Sequence, residues 1–509
     1  MKTGADIGNI ITKILKGDPQ LQHDLIEHLG SKAPLSQKVI MKVNIIRNVV
    51  TSYLEKKLGR KIDQEPSTGL YATPLRGKLM QAWAEVAGGP GSRIAAWLFE
   101  GAPAGIVNGM SELDGVMPQV DDGEPECSPE DLSTDFDTFV NYKNVDDDPD
   151  VRKHLDEFVG KGYLTKLPSL AKVKELLNSE PVLSKLAAIK KTRVDEQGEV
   201  VTKLRLILDA LRSLVTAATK RTHKSELPSL LDLIFDIMRL MEEAGDGTMV
   251  HLMILDIVDA FWLIPLKQNE RKYFVFRCAG EYYVYNSTAQ GSRGGPLTWA
   301  AVMDLTARLV QSTFTDIQGT ATEKIIQQPL RLQTYVDDPA MAIMGSDRKV
   351  HRHMAQYIVT MLVLGYPLAF HKAQTGKKVK WIGMNVEIIV HDVLVTIPAD
   401  KIKELKDIVR NMMATNVIPK RDLKSLAGKG AQIASIIFAW RPMVNELYGA
   451  LKSHGGQQPR NTVWKTQINH TLHWLQAFLH GKVGTIERVF RPAAHFNRTT
   501  LIDINPRGG

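Results

Sequence analysis

The stretch Leu332-Gln333-Thr334-Tyr335-Val336-Asp337-Asp338-Pro339-Ala340-Met341-Ala342-Ile343 constrains this chain more than any other. Two adjacent acids stand between two apolar, β-prone runs, Leu332 to Val336 and Ala340 to Ile343, the pattern of a tight hairpin with carboxylates at its tip. A strand sends neighbouring side chains to opposite faces, whereas a turn can present both toward one point. Two carboxylates so placed repel each other unless a cation binds them, and Mg²⁺ takes one or two carboxylates together with substrate phosphates. An isolated Asp-Asp pair is ordinarily a surface turn. A functional reading therefore needs a further acid in matching company.

Asp256 is that acid. Val250 to Ile257 reads as an apolar strand with Asp256 near its end, where a carboxylate is costly unless solvated, hydrogen-bonded or metal-bound. Val258 to Trp262 turns the chain, and Tyr273–Arg277 and Glu281–Tyr285 read as a hairpin across Ala279-Gly280. Gln290-Gly291-Ser292-Arg293-Gly294-Gly295-Pro296 is a glycine-rich loop ahead of a helix expected over Leu297 to Val310, a junction that favours anions. Upstream, Leu183–Lys191 and Val200–Asp209 read as antiparallel strands about a turn at Val194–Glu199. They would offer Lys190, Lys191, Lys203 and Arg205 as a cationic clamp for a triphosphate. Asp256 and Asp337 are 81 residues apart, ample for their strands to meet in one sheet.

Charge points the same way. The chain carries +8 with a pI near 9.1. Between Asp121 and Asp150 there are twelve acids against one base, Lys143; this local −11 leaves +19 on the remainder. A basic body of that size suits nucleic acid, because lysine and arginine release counterions from the phosphate backbone. Two distant cysteines, Cys127 and Cys278, exclude a disulfide framework and a cysteine-rich zinc site and fit a reducing compartment. Met1 to Gly17 lacks a signal-peptide core. The longest near-apolar run, Tyr357 to Phe370, is too short to span a bilayer. The expectation is an intracellular, soluble protein, in cytoplasm or nucleus, without a membrane partner.

Residues 1–110 read as mostly helical and without a chemical motif, and 111–150 as an acidic, loosely ordered linker. Ser229 to Met241 and Lys349 to Leu364 read as helices, Val379 to Ile389 as a strand or hairpin. Beyond Pro398 a basic helical region is expected. Its first helix is ended by Pro419, a second runs from Leu423 to Trp440 before Pro442, and a third lies near Trp464 to Leu479.

In this order the motifs resemble those of the reverse transcriptases, continuously from about Leu183 to Met384 and more loosely to about Leu451. Tyr335-Val336-Asp337-Asp338 resembles the YxDD box, and Leu255-Asp256-Ile257-Val258-Asp259-Ala260-Phe261 the first aspartate motif. Gln290-Gly291 with Pro296 resembles the template- and nucleotide-contacting loop, Gly365-Tyr366-Pro367 with Lys372 the motif carrying a general acid, and Trp381-Ile382-Gly383 the primer grip. The resemblance implies an α+β right-hand polymerase: fingers over 151–250, palm with an antiparallel sheet over 251–395, and a helical thumb or connection over 396–480. It implies an RNA-directed DNA polymerase that adds dNTPs to a primer 3′-hydroxyl by two-metal nucleotidyl transfer, with Mg²⁺ or Mn²⁺ as cofactor and template, primer and dNTPs as partners. Asp256, Asp337, Asp338 and the Ile257 carbonyl would hold metal, and Lys372 would protonate pyrophosphate. Lys191, Arg205, Asp259, Ala260, Phe261, Gln290 and Gly291 would bind the nucleotide, with Phe261 as the gate against a ribose 2′-hydroxyl.

Segments around Ile397–Lys401, Leu423–Gly428 and Met443–Tyr448 resemble DIRS-type retroelements, and Thr500–Gly509 resembles the first strand of an RNase H domain, expected to begin in 481–509. The chain departs from the family pattern at Leu211, where an arginine is usual, at Gly295, which would loosen the helix start, and at Pro339, which biases Asp338 toward extended backbone. Two other readings fit parts of these features: a catalytically weak or inactive retroelement-derived nucleic-acid-binding protein, and an RNA-dependent RNA polymerase.

Overall fold

The structure is a computed structural model that describes residues 2–121, 123–134, 136, 139–194, 200–244, 248–319, 324–453 and 459–492. It mixes helices with antiparallel sheets. In chain order the first strands are β1 (Leu164–Leu167), β2 (Lys185–Val194), β3 (Val200–Asp209), β4 (Met249–Ile254), β5 (Val275–Cys278), β6 (Glu281–Tyr285), β7 (Asp316–Gly319) and β8 (Lys324–Gln327). They are followed by β9 (Leu330–Tyr335), β10 (Asp338–Gly345), β11 (Gln374–Gly376), β12 (Lys378–Trp381), β13 (Met384–Ile389), β14 (Asp392–Thr396), β15 (Val417–Pro419), β16 (Thr462–Trp464) and β17 (Glu487–Phe490). The chain forms two compact units. One comprises 1–227, 256–328 and 352–371, the other 228–255, 329–351 and 372–509.

In the first unit, β5 and β6 form the expected hairpin, and β1 joins it in the order β1-β6-β5. Aromatic residues alternate inward from this sheet, and the rings of Trp262 and Tyr285 stack 5.3 Å apart, 10° from parallel. β2 and β3 make a long two-stranded ribbon in register from Lys185↔Asp209 to Val194↔Val200. The turn expected at Val194–Glu199 lies, from residue 195, outside the described residues.

The N-terminal region is helical, with helices Lys2–Gly17, Pro19–Glu27, Gln37–Leu58, Gly77–Ala87 and Ser92–Glu100. It is built into the core of its unit. Gly8 lets the first helix lie on the end of helix Gly295–Ser312; a Cβ there would come within 1.9 Å of the Thr313 carbonyl. Arg47 donates to the carbonyls of Leu362 and Val363, each at 2.8 Å. Glu270, fully buried, accepts N–H bonds from Ala104, Ile106, Val107 and Asn108. The acidic 111–150 segment, expected as a loose linker, also packs. Leu113 and Val145 are buried, and Val120 N–H bonds the Thr222 carbonyl at 2.9 Å.

In the second unit, one sheet runs β11-β4-β10-β9 and another β12-β13-β14-β17. Helices Leu230–Glu243, Ala399–Met413, Lys420–Ala434, Arg441–Lys452 and Asn469–Leu479 close over them. Their common core includes Ile237, Leu252, Ala342, Trp381, Leu405, Trp440 and Phe478. Each large side chain fully buried there contributes roughly 1.5–3 kcal/mol.

Three expectations change in this unit. The helix expected over Leu423–Trp440 stops at Ala434, and a new one starts at Arg441 with Pro442 in its first turn, where the missing N–H costs nothing. Trp464 belongs to β16, so the last helix begins at Asn469. β4 ends at Ile254, and Asp256 lies just past it. The Thr500–Gly509 stretch lies outside the described residues. Within 481–492, β17 pairs antiparallel with β14, Val393 opposite Phe490.

Candidate active site

The central hairpin belongs to the second unit. β9 and β10 stay in register down to Tyr335↔Asp338, leaving Val336 and Asp337 as the turn. The two acids therefore do not share the tip as expected: Asp337 lies in the turn and Asp338 opens β10. Val336 sits at φ +57°, a left-handed conformation that strains a β-branched residue and persists only where its surroundings enforce it. Both acids are half-buried. Pro339 is buried near the start of β10, a position where a strand tolerates a missing donor, and its carbonyl accepts the Leu255 N–H at 3.4 Å. β4 runs along the other edge of β10, Ile254 opposite Ala340, which brings the chain to the residue before Asp256.

The stretch read as the primer grip is tied to this hairpin. The Trp381 indole N–H donates to the Asp338 carbonyl at 3.0 Å, and its ring meets that of Tyr335 edge-on at 6.5 Å. Ile382 and Gly383, at φ +44° and +68°, form the two-residue turn between β12 and β13, both left-handed as a type I′ hairpin demands. Two helices hold that turn. Lys401 donates to the Gly383 carbonyl at 2.9 Å and to Gln432 Oε1 at 2.6 Å, while Gln432 donates to the Ile382 carbonyl. Burial pushes the Lys401 ammonium below its ordinary value. Sequence reasoning missed this role of Lys401, which ends the segment Ile397–Lys401, and missed Gln432 altogether. Lys372 is exposed at the end of a short 3₁₀ turn, Phe370–Lys372, two residues before β11.

The first unit holds the remaining candidates. The Asp256 carbonyl accepts the Ala369 N–H at 2.8 Å, Ile257 bridges antiparallel to Leu368, and Val258 N–H bonds the Pro367 carbonyl at 2.9 Å. The first aspartate motif and the Gly365-Tyr366-Pro367 motif thus run side by side. Asp256 and Ile257 are buried. Asp259 is left-handed at φ +54°, and its carboxylate pairs with Lys161 at 2.6 Å and accepts from the Tyr163 hydroxyl at 3.3 Å. Burial first, and Asp259 second, push the Tyr163 hydroxyl above its usual value. Ala260 is buried; Phe261 is half-buried, its ring 6.0 Å from that of Trp299.

Gln290 is half-buried beside the exposed Gly291, whose φ of +103° and approach to β3 both require glycine. A Cβ at Gly291 would lie 2.6 Å from the Leu208 carbonyl oxygen. Gly295, read as loosening the helix start, is held by Ser292. Its N–H bonds Ser292 Oγ at 3.1 Å, and a Cβ there would meet that oxygen at 2.7 Å. On the ribbon, Arg205 is opposite Ile189 and Lys191 is two residues further on, so Lys191 and Arg205 share a face, both exposed. Lys203 is the Cα partner of Lys191. Lys190 alternates to the other face and pairs with Asp148 at 2.9 Å and Asp150 at 2.7 Å, so it does not join the expected clamp.

Among solved structures, the chain is similar to the foamy viral protease-reverse transcriptase dRH in complex with dsDNA, at 16% identity and a TM-score of 0.45, covering 74% of this chain and 58% of that one. The same share of this chain is similar to the foamy viral protease-reverse transcriptase in complex with RNA/DNA hybrid, at 14% identity and a TM-score of 0.43, covering 44% of that chain. This chain thus spans only about half the length of these two relatives, 58% of the one and 44% of the other. Residues 189–386 match the family described as reverse transcriptase (RNA-dependent DNA polymerase). They include Asp256, Asp337 and Asp338, and over them the chain carries a reverse transcriptase domain, of a family of nucleotidyltransferases.

Proposed function

We propose that this protein is an RNA-directed DNA polymerase that adds dNTPs to a primer 3′-hydroxyl on an RNA or DNA template. The observation that carries the reading is the strained Val336-Asp337 turn, inside the matched domain, on a β10 strand whose neighbour β4 leads into Asp256. Asp256, Asp337 and Asp338 are hard oxygen donors that fit Mg²⁺, which needs only one or two carboxylates when phosphate oxygens complete its shell. Among the described residues no group of three or more His, Cys, Asp and Glu side chains stands together as a metal site. When bound, the metal would lower the pKa of the 3′-hydroxyl and stabilise charge on the leaving pyrophosphate.

The chain's own residues supply the rest. Lys191 and Arg205, on one face of the ribbon, would hold the triphosphate. Gly291, packed against the Leu208 carbonyl, would offer backbone to the incoming nucleotide. Phe261 would fill the space beside the sugar 2′-carbon, Lys372 would give a proton to pyrophosphate, and Trp381-Ile382-Gly383 would steady the primer end. In this reading 151–250 serves as fingers, 251–395 as palm and 396–480 as thumb or connection.

Purified protein should extend a DNA primer on an RNA template with Mg²⁺ and stop when the metal is chelated. Phe261→Ala should lower the preference for dNTPs over NTPs by about tenfold or more, since a steric gate discriminates by contact. An unchanged preference would remove Phe261 from that role.

A further inference from the structure

Far along the chain from the carboxylates, the second unit carries a cationic stack. The ring of Phe438 is 41% exposed. The guanidinium carbons of Arg441 and Arg488 lie 3.9 Å and 4.1 Å from its centroid. Two guanidiniums that close to one ring cannot share a face, so one covers each side. Arg488 also lies 4.6 Å from the ring of Phe490.

Two like charges held this way repel, and Arg441 adds to the burial that pushes the Arg488 guanidinium below its ordinary value. Among the described residues no carboxylate forms a salt bridge with either of them. The backbone fixes both from beneath. Arg441 Nε donates to the Ala434 carbonyl at 3.2 Å and Arg488 Nη1 to the Ile436 carbonyl at 2.6 Å. A guanidinium has five N–H donors, so each keeps several for a ligand. The planar group stacks on an aromatic face while offering a fork to an anion, which lysine could not do. Held rigid, the pair has already met most of the entropy cost of ordering two long side chains.

We propose that Arg441, Phe438 and Arg488 form a binding site for the phosphodiester backbone of a nucleic-acid strand. The ring sets the spacing of the two guanidiniums, and each takes one phosphate. The site reads no bases, because both faces of the ring are covered. It concerns binding alone. Binding is read without dNTP and without primer extension, so its failure and the failure of the polymerase reading are distinguishable.

The test is fluorescence anisotropy of a labelled single-stranded oligonucleotide, and of its duplex, across a salt series with the full chain. The log–log slope of affinity against salt should become shallower by about 0.9 per lost contact on duplex and about 0.7 on single strand. Arg441→Gln should remove one such step and Arg441→Gln/Arg488→Gln two, with the double variant binding about tenfold or more weakly near 0.1 M salt. If the double variant fails to fold, Arg441→Gln alone decides, since it spares the Arg488 bond to Ile436. A slope that does not change, with or without a loss of affinity, overturns the proposal.

Discussion

Gly291 shows how much a single position can carry. Its φ of +103° and the Leu208 carbonyl 2.6 Å from where a Cβ would stand leave room only for hydrogen. Gly291→Ala should destabilise the first unit by about 1–3 kcal/mol, read as a lower urea midpoint, and raise the KM for dNTP more than it lowers kcat. Glu270 is the buried counterpart. Replacing it with Ala would orphan the buried N–H groups of Ala104 and Ile106, at a cost of roughly 2 kcal/mol or more, visible as a lowered midpoint of the thermal transition. His251, half-buried in β4, faces Asp347, Lys377 and His351. Burial first, then Lys377 and His351, hold its imidazole below the usual value against the opposing pull of Asp347. A depressed folded value means that its contribution is present above the ordinary histidine range and is lost as pH falls below about 6.5. His251→Gln should therefore lose less urea stability than wild type between pH 7.5 and pH 5.5. An equal loss in both would show that another group titrates.

At the scale of elements, the hairpins were legible because their signal is local. Alternation in β5 and β6 about Ala279-Gly280 and the two acids between apolar runs at β9 and β10 need no partner to be read. The misreadings also share one cause. That Asp338 belongs to β10 and only Asp337 to the turn depends on register, which pairing decides and composition does not. Pro442 looked like a stop after a helix and is instead the first turn of the next one, because proline suits both places. The contacts of Lys401 and Gln432 could not be read: they act on the Ile382-Gly383 turn from two helices that the sequence leaves unconnected to it. Gly383→Ala would push a Cβ to 2.4 Å from Lys401 Nζ in a left-handed turn. A loss of about 1–2 kcal/mol is expected, with weaker primer extension at unchanged dNTP affinity.

At the scale of the molecule, the structure has two compact units whose boundaries cut across the chain. The N-terminal helices had no motif to announce them, because packing carries no chemistry. Their place appears only in contacts such as Gly8 on Thr313 and Arg47 on the carbonyls of Leu362 and Val363. The acidic segment was misread for a related reason. Its charge masks a few apolar anchors, Leu113 and Val145 among them, that suffice to seat it. The candidate chemistry was the most legible layer, since carboxylates, a glycine loop and a two-residue turn are specified by residue type and order. Primer extension on poly(rA)/oligo(dT) with Mg²⁺ tests that layer most directly, comparing wild type with Asp337→Asn, which keeps shape and removes charge. Wild type should incorporate dTMP and the variant should not; incorporation surviving in Asp337→Asn would contradict the account.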